Sequence, residues 1–179
     1  VRLRGGAVKA ARTAVLLLPL GLAACAPSGG GTRFLNLDPQ STGSELASGW
    51  STFERTETGD TFVWAQAREA RVALLADGPA DRLVRFRAWP FRWEGAPPQT
   101  VTVSLNGVVL GTVPLGDAPG VHGLASPAPA WKEGENSLTF AFAYAEAPRD
   151  RVPGASDDRT LAAAFDWIEI LPTTGPVGE

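Results

Sequence analysis

The sequence predicts an all-β fold, an antiparallel β-sandwich (jelly roll) of about eight or nine strands, preceded by a signal peptide and a flexible tether. Three observations carry this. Apolar side chains after residue 32 recur with period two, and no helical period of useful length competes with it. Turn formers are abundant, 20 Gly and 15 Pro, and they cut the chain into short segments. Hydrophobic residues make up 44% of 179 residues, enough for one core in a chain of single-domain length.

The first element is an export segment. Arg2, Arg4, Lys9 and Arg12 precede an apolar run from Ala14 to Leu22, and small residues follow it. That is the order of a secretory signal. The run is shorter than the roughly 20 residues a spanning helix needs, and Pro19 interrupts it. Leu22-Ala23-Ala24-Cys25 resembles the lipobox of bacterial lipoproteins. The resemblance implies a signal peptide at 1–24, cleavage before Cys25, and lipid on the Cys25 thiol. It also implies a cell-envelope location, with the membrane as partner through that lipid. Ala26, rather than Asp, follows the cysteine, which in two-membrane bacteria resembles export to the outer membrane. More than one acyl chain anchors stably where one holds only marginally. Residues 25–32, rich in Ser and Gly, then form the tether. Cys25 is the only cysteine, so no intrachain disulfide forms.

The sandwich is expected over 33–171, with a disordered tail at 172–179. Candidate strands are 33–37, 61–65, 70–75, 82–89, 100–105, 108–113, 137–144 and 161–171. Arg82 to Trp89 alternates charged and apolar side chains, as a half-buried strand does. Asn106-Gly107, between two alternating runs, is the strongest hairpin signal. The Ala-rich stretch 65–76 leaves a helix open as the alternative. Residues 147–159 hold Pro148, Pro153 and Gly154 and read as a long loop.

Charge narrows the partners. Setting aside the four basic residues before Cys25 leaves 12 basic side chains against 19 acidic ones, a formal charge of −7. Nucleic-acid binding needs clustered Lys and Arg and is not expected. Catalysis is not expected either. His122 is the only histidine; it sits between glycines, reads as a loop residue, and excludes a multi-imidazole metal site. No nucleophile-elbow motif accompanies it. No cofactor is implied. Asp157 and Asp158 are adjacent carboxylates, but Ca²⁺ takes six or more oxygens, and pairing with Arg159 accounts for them without a cation. No metal site is assigned.

Trp131-Lys132-Glu133-Gly134-Glu135-Asn136, turning into an apolar strand, resembles a turn of galactose-binding-like jelly-roll domains. The hairpin with Leu110-Gly111-Thr112, the closing Ala164-Phe165-Asp166-Trp167-Ile168, and Gly49-Trp50 with Glu54 and Phe62-Val63-Trp64 fit the same pattern, which covers most of 48–171. The resemblance implies a carbohydrate-binding type of β-sandwich and carries over no site. Six tryptophans sharpen the question, because an indole face stacks on the apolar face of a sugar ring. Trp64 and Trp167 lie within apolar strands and are expected in the core. Trp131 is expected to staple its turn. Trp89, Arg92 and Trp93 enter a Pro-rich loop and are the candidate ligand contacts. The resulting expectation is a non-catalytic envelope lipoprotein that binds an envelope glycan. The alternatives are a structural or accessory subunit of an envelope protein complex and, least favoured, a hydrolase with a carboxylate pair.

Overall fold

In a computed structural model of the protein, residues 31–39 and 44–173 are described. The signal segment, Cys25, most of the tether and the tail from 174 lie outside them.

Eleven strands appear among the described residues: β1 (Arg33–Asn36), β2 (Leu46–Ser48), β3 (Glu54–Arg55), β4 (Thr61–Ala65), β5 (Glu69–Asp77), β6 (Arg82–Pro90), β7 (Gln99–Leu105), β8 (Val108–Leu115), β9 (Gly120–Ser126), β10 (Glu133–Phe142) and β11 (Ala163–Pro172). They form two antiparallel sheets. The first runs β3-β4-β11-β6-β9, with β1 also paired to β11. The second runs β2-β5-β10-β7-β8. The sandwich is the architecture the period-two pattern predicts. The extra strands are β2 and β3, three and two residues long, and β9. β9 reads Gly-Val-His-Gly-Leu-Ala-Ser, which hides a strand behind two glycines, so His122 is a strand residue and not a loop residue.

Residues 69–77 are a strand, not the alternative helix, because Ala70, Val72 and Leu74 face the core at period two. The segment 147–159 contains one helical turn, Pro148–Arg151, opened by proline at a position whose N–H would be unpaired anyway. β11 reaches Pro172, and Thr173 donates from its N–H and Oγ1 to the Asp81 carbonyl, so ordered chain passes residue 171.

The core forms where inward positions of the two sheets meet. Phe86, Phe140 and Phe165 lie with ring centroids 5.0–5.6 Å apart. Trp50 closes on this cluster 5.2 Å from Phe165, while its indole N–H donates to the Arg71 carbonyl at 2.7 Å. The turn that brings Trp50 in requires Gly49: its φ is +78°, and a Cβ there would lie 2.4 Å from the Glu69 oxygen. Gln99 is fully buried and ties the sheets together. Its Nε2 donates to the carbonyls of Tyr144 and Ala162, and its Oε1 accepts from the N–H groups of Thr100 and Tyr144.

The Asn106-Gly107 hairpin has φ of 51° and 85°, as a type I′ turn demands. Asn106 also reaches across the sheet, donating to Asn136 Oδ1 and accepting from the Ser137 N–H. Asn136 is buried and its amide bonds Lys132 N–H, Lys132 O and Gly134 O. The Gly-Glu-Asn sequence is therefore a lock between a hairpin and β10.

Candidate functional site

The outer face of the first sheet carries the aromatic surplus. In β4 the buried positions are Val63 and Ala65, which turns Phe62 and Trp64 outward. In β6 the buried positions are Val84, Phe86 and Ala88, which turns Trp89 outward. Across the ladder Ala164 is the register partner of both Trp64 and Trp89. Strands are about 4.8 Å apart, so the two indoles stand roughly 10 Å apart at the backbone with only a methyl between them. They close over Ala164, which is buried although it faces outward.

Phe62 bridges the pair, 5.9 Å from Trp64 and 5.4 Å from Trp89. The series continues from Trp64 to Phe91 at 6.4 Å, from Phe91 to Trp93 at 5.5 Å, and from Trp93 to Tyr144 at 5.0 Å. Six rings thus form one strip, from the middle of the sheet over its end. Trp64, Trp89 and Trp93 are half-buried, so part of each indole remains in contact with water. Fixed rings of this kind need little further ordering when a flat apolar surface docks.

The strip is braced by ion pairs. Arg92 donates to the Pro97 carbonyl at 3.0 Å and pairs with Asp117 at 3.2 Å, pinning the loop that follows β6. Tyr144 donates its hydroxyl to the Phe91 carbonyl at 2.7 Å, and burial pushes its ionisation above the ordinary phenol range. Arg151 lies 5.4 Å above the Trp93 ring and pairs with Glu146 at 3.0 Å. At the other end, Glu54 is the register partner of Phe62 and accepts from Arg159. Arg159 also binds Asp157 through Nε and Nη2, at 3.0 and 2.7 Å. These bonds hold the Asp157 carboxyl below its usual range and the Arg159 guanidinium above its own. Arg87 pairs with Asp166 on the same face.

A separate polar groove of about 420 Å³ is lined by Asn36, Asp38, Arg55, Asp60, Thr61 and Asp166, with Asp60 and Thr61, the sequence neighbours of Phe62, among them. Hydroxyl and carboxylate groups there can bond sugar hydroxyls while the rings carry the apolar faces.

Of the predicted contacts, Trp89 and Trp93 belong to the strip but do not touch. Phe62, Trp64 and Phe91 lie between them. Arg92 braces the loop rather than standing free. The expectation that Trp64 and Trp167 lie in the core does not hold. They occupy outward positions, because the inward partners are Val63 and Ala65 in one strand and Phe165 and Ile168 in the other. A bulge at Asp166 sets Trp167 opposite Arg87, against Phe34 and under Arg85, at 5.8 and 5.7 Å. Trp131 does more than staple a turn. It is buried in the core cluster, with Arg82 4.4 Å above its ring and its N–H on Ser126 Oγ at 3.0 Å. Asp158 faces Arg149 at 3.5 Å. Among the described residues no group of three or more His, Cys, Asp or Glu is placed to hold a metal. His122 packs on Phe86 at 5.3 Å, away from the strip, with Nε2 unbonded, and burial lowers its pKa.

No protein-family profile and no curated protein matches the sequence. Solved structures do. A family 35 carbohydrate-binding module from an environmental isolate aligns at a TM-score of 0.50 with 16% identity, covering 80% of this chain and 99% of the module. A family 35 module from Cellvibrio japonicus aligns at 0.49 with 15% identity, covering 83% and 99%. A family 6 module of a laminarinase from Zobellia galactanivorans aligns at 0.45 with 11% identity, covering 79% and 99%. At such identity the first likeness shows the fold alone: the chain is a jelly-roll β-sandwich.

Proposed function

We propose that this chain is a non-catalytic glycan-binding module, held at the cell envelope by lipid on Cys25. The single observation behind the binding role is the continuous series of six rings from Trp89 to Tyr144, three of them half-buried tryptophans. Its chemistry selects the ligand. The flanking cations Arg87, Arg92, Arg151 and Arg159 are each paired with a carboxylate. The polar groove is lined by Asp38, Asp60 and Asp166 against Arg55. In that groove three carboxylates outnumber the single cation, Arg55, whose guanidinium bonds only the Gly59 carbonyl among the described residues, so an anionic sugar is disfavoured and the ligand is an uncharged, extended saccharide chain.

Affinity electrophoresis of the purified chain in gels containing neutral polysaccharides (a β-glucan, a xylan and a mannan) and an acidic one (a polyuronate) tests this. Retardation by at least one neutral polymer, lost in Trp89→Ala and Trp93→Ala, is expected. Retardation by the polyuronate alone, or tryptophan variants that bind as well as the parent, would refute it. For the anchor, metabolic labelling with a radioactive fatty acid should mark the parent and not Cys25→Ala. Equal labelling of both would remove the lipid from Cys25.

A further inference from the structure

Resting on the glycan reading above, we propose that the saccharide runs along the strands of the first sheet, past Trp89 to a second aromatic platform made by Trp167 and Phe34. Both rings stand on the same outer face as the strip. Leu35 is buried, so alternation turns Phe34 outward, and it is 53% exposed. Trp167 is half-buried and lies 5.8 Å from Phe34. It reaches the outer face through the bulge at Asp166, since plain alternation from the buried Phe165 would turn it inward. Arg85 lies 5.7 Å from its ring, and with Phe34 it holds the indole in place, so the platform needs little ordering on binding.

Folding alone does not ask for Phe34. Leu35 docks β1 on the core, and the ladder from Arg33 opposite Ile170 to Asn36 opposite Trp167 holds its backbone. A threonine at position 34 would keep both and leave less apolar surface in water.

Register gives the spacing. Along β6, Trp89 stands opposite Ala164, Arg87 opposite Trp167 and Arg85 opposite Glu169, and Glu169 is also the partner of Phe34. At about 3.4 Å per residue, Trp167 lies about 7 Å and Phe34 about 14 Å beyond the level of Trp89. Trp93 follows β6 at its other end, so Trp89 stands between the loop rings and the platform.

Polar groups fill the interval. Arg87 pairs with Asp166, and Arg85 with Glu169 at 3.0 Å. The polar groove draws Thr61 from the strand of Phe62 and Trp64, Asp166 from the strand of Trp167, and Asn36 from the strand of Phe34. Rings, then hydrogen-bonding groups, then rings is an order that suits a sugar chain, whose ring faces stack while its hydroxyls find polar partners. An apolar partner on the same path would desolvate two ion pairs with no hydrogen bond in return. A short saccharide therefore fills the strip alone, and a longer one reaches Phe34 as well.

Calorimetric titration of the full chain with ladders of β-glucan, xylan and mannan oligosaccharides, from trisaccharide to octasaccharide, tests this. Affinity for at least one ladder is expected to rise with length. Phe34→Ala should weaken octasaccharide binding about fivefold while leaving the trisaccharide and the urea midpoint unchanged, and Phe34→Trp should restore the octasaccharide. Trp89→Ala should weaken both lengths. An octasaccharide bound no more tightly than the trisaccharide, or bound by Phe34→Ala as tightly as by the parent, would overturn the second platform while leaving Trp89-dependent binding in place. No binding along any ladder would overturn the glycan reading and the platform with it.

Discussion

Replacing Asn136 with leucine tests the lock that the Gly-Glu-Asn turn provides. Leucine is close to asparagine in volume, so the change removes hydrogen bonds rather than packing. Four are lost: Lys132 N–H and Asn106 Nδ2 as donors, at 2.8 Å each, and the carbonyls of Lys132 and Gly134 as acceptors, at 3.0 and 2.9 Å. Asn106 Nδ2 keeps its bond to the Ala130 carbonyl, and Lys132 is exposed enough for water to reach part of its backbone. Leaving a buried polar group unpaired costs about 1–3 kcal/mol, so one to two such groups give about 2–4 kcal/mol. In a domain of this size that lowers Tm by roughly 5–12 °C. Urea denaturation should show a lower midpoint at unchanged slope. Asn106→Gly keeps the positive φ and removes the partner. The double variant should lose less than the sum of the singles, because the two amides share one network. A loss below about 1 kcal/mol in Asn136→Leu, or strict additivity, would mean that the turn is held by its backbone and not by this amide.

Burial lowers the His122 pKa from 6.5, so the unfolded chain binds more protons than the native one just below that pH, and stability should fall as pH drops through that window. His122→Leu should flatten this limb in pH-dependent melts, and a parent with no slope there would contradict the buried placement. Asp157 is shifted the other way, below 3.8, so its bonds to Arg159 stabilise above that value and are lost as pH falls through it. Asp157→Asn should therefore lose stability near neutrality and almost none in strong acid, and equal losses at both would count against the ion pair. Gly49→Ala forces a Cβ to 2.4 Å from the Glu69 oxygen at φ +78° and should cost about 2 kcal/mol or more by denaturation. A neutral Gly49→Ala would show that β2 and the Trp50 turn yield easily.

The architecture was legible because the sheet interior enforces alternation. β6, β7 and β10 each bury every second residue, and the Asn-Gly turn fixes the register between β7 and β8. Strand phase was less legible. Thr61-Phe62-Val63-Trp64-Ala65 alternates cleanly, but both sets are hydrophobic, and size alone favoured the aromatics as core. The deciding partner lies about a hundred residues on: Ala164 is small and outward, which leaves room for Trp64 and Trp89 above it. A bulge at Asp166 was equally invisible, and it moves Trp167 to the outer face. β9 was missed because glycine at positions 120 and 123 reads as a turn, yet those residues pair with Ala88 and Arg85.

The two outer faces show why the strip, rather than aromatic content in general, points to recognition. Both sheets carry comparable strands over the same core, so stability alone gives no reason for the faces to differ. One carries Phe62, Trp64, Trp89 and Trp93 and keeps its charges in local pairs. Among the described residues the other carries no aromatic ring: threonine, serine and alanine occupy its middle, with Glu69, Arg71, Asp77 and Glu135 beside them and Leu75 and Val109 as its large apolar side chains. Half-exposed indoles leave apolar surface in water at a cost of roughly 25 cal/mol per Å², which a serine or threonine at the same position would avoid. Two of these tryptophans cover Ala164, and that accounts for the buried part of each ring but not for the part left in water. A flat ligand docking on the exposed parts of Trp64 and Trp89 recovers what folding leaves unspent. The strip should therefore matter more to binding than to stability. Trp89→Ala should weaken retardation by a neutral polysaccharide about tenfold or more while leaving most of the denaturation midpoint intact. The reverse result, a large stability loss with binding preserved, would make the strip a packing device and move the search for a ligand to another face.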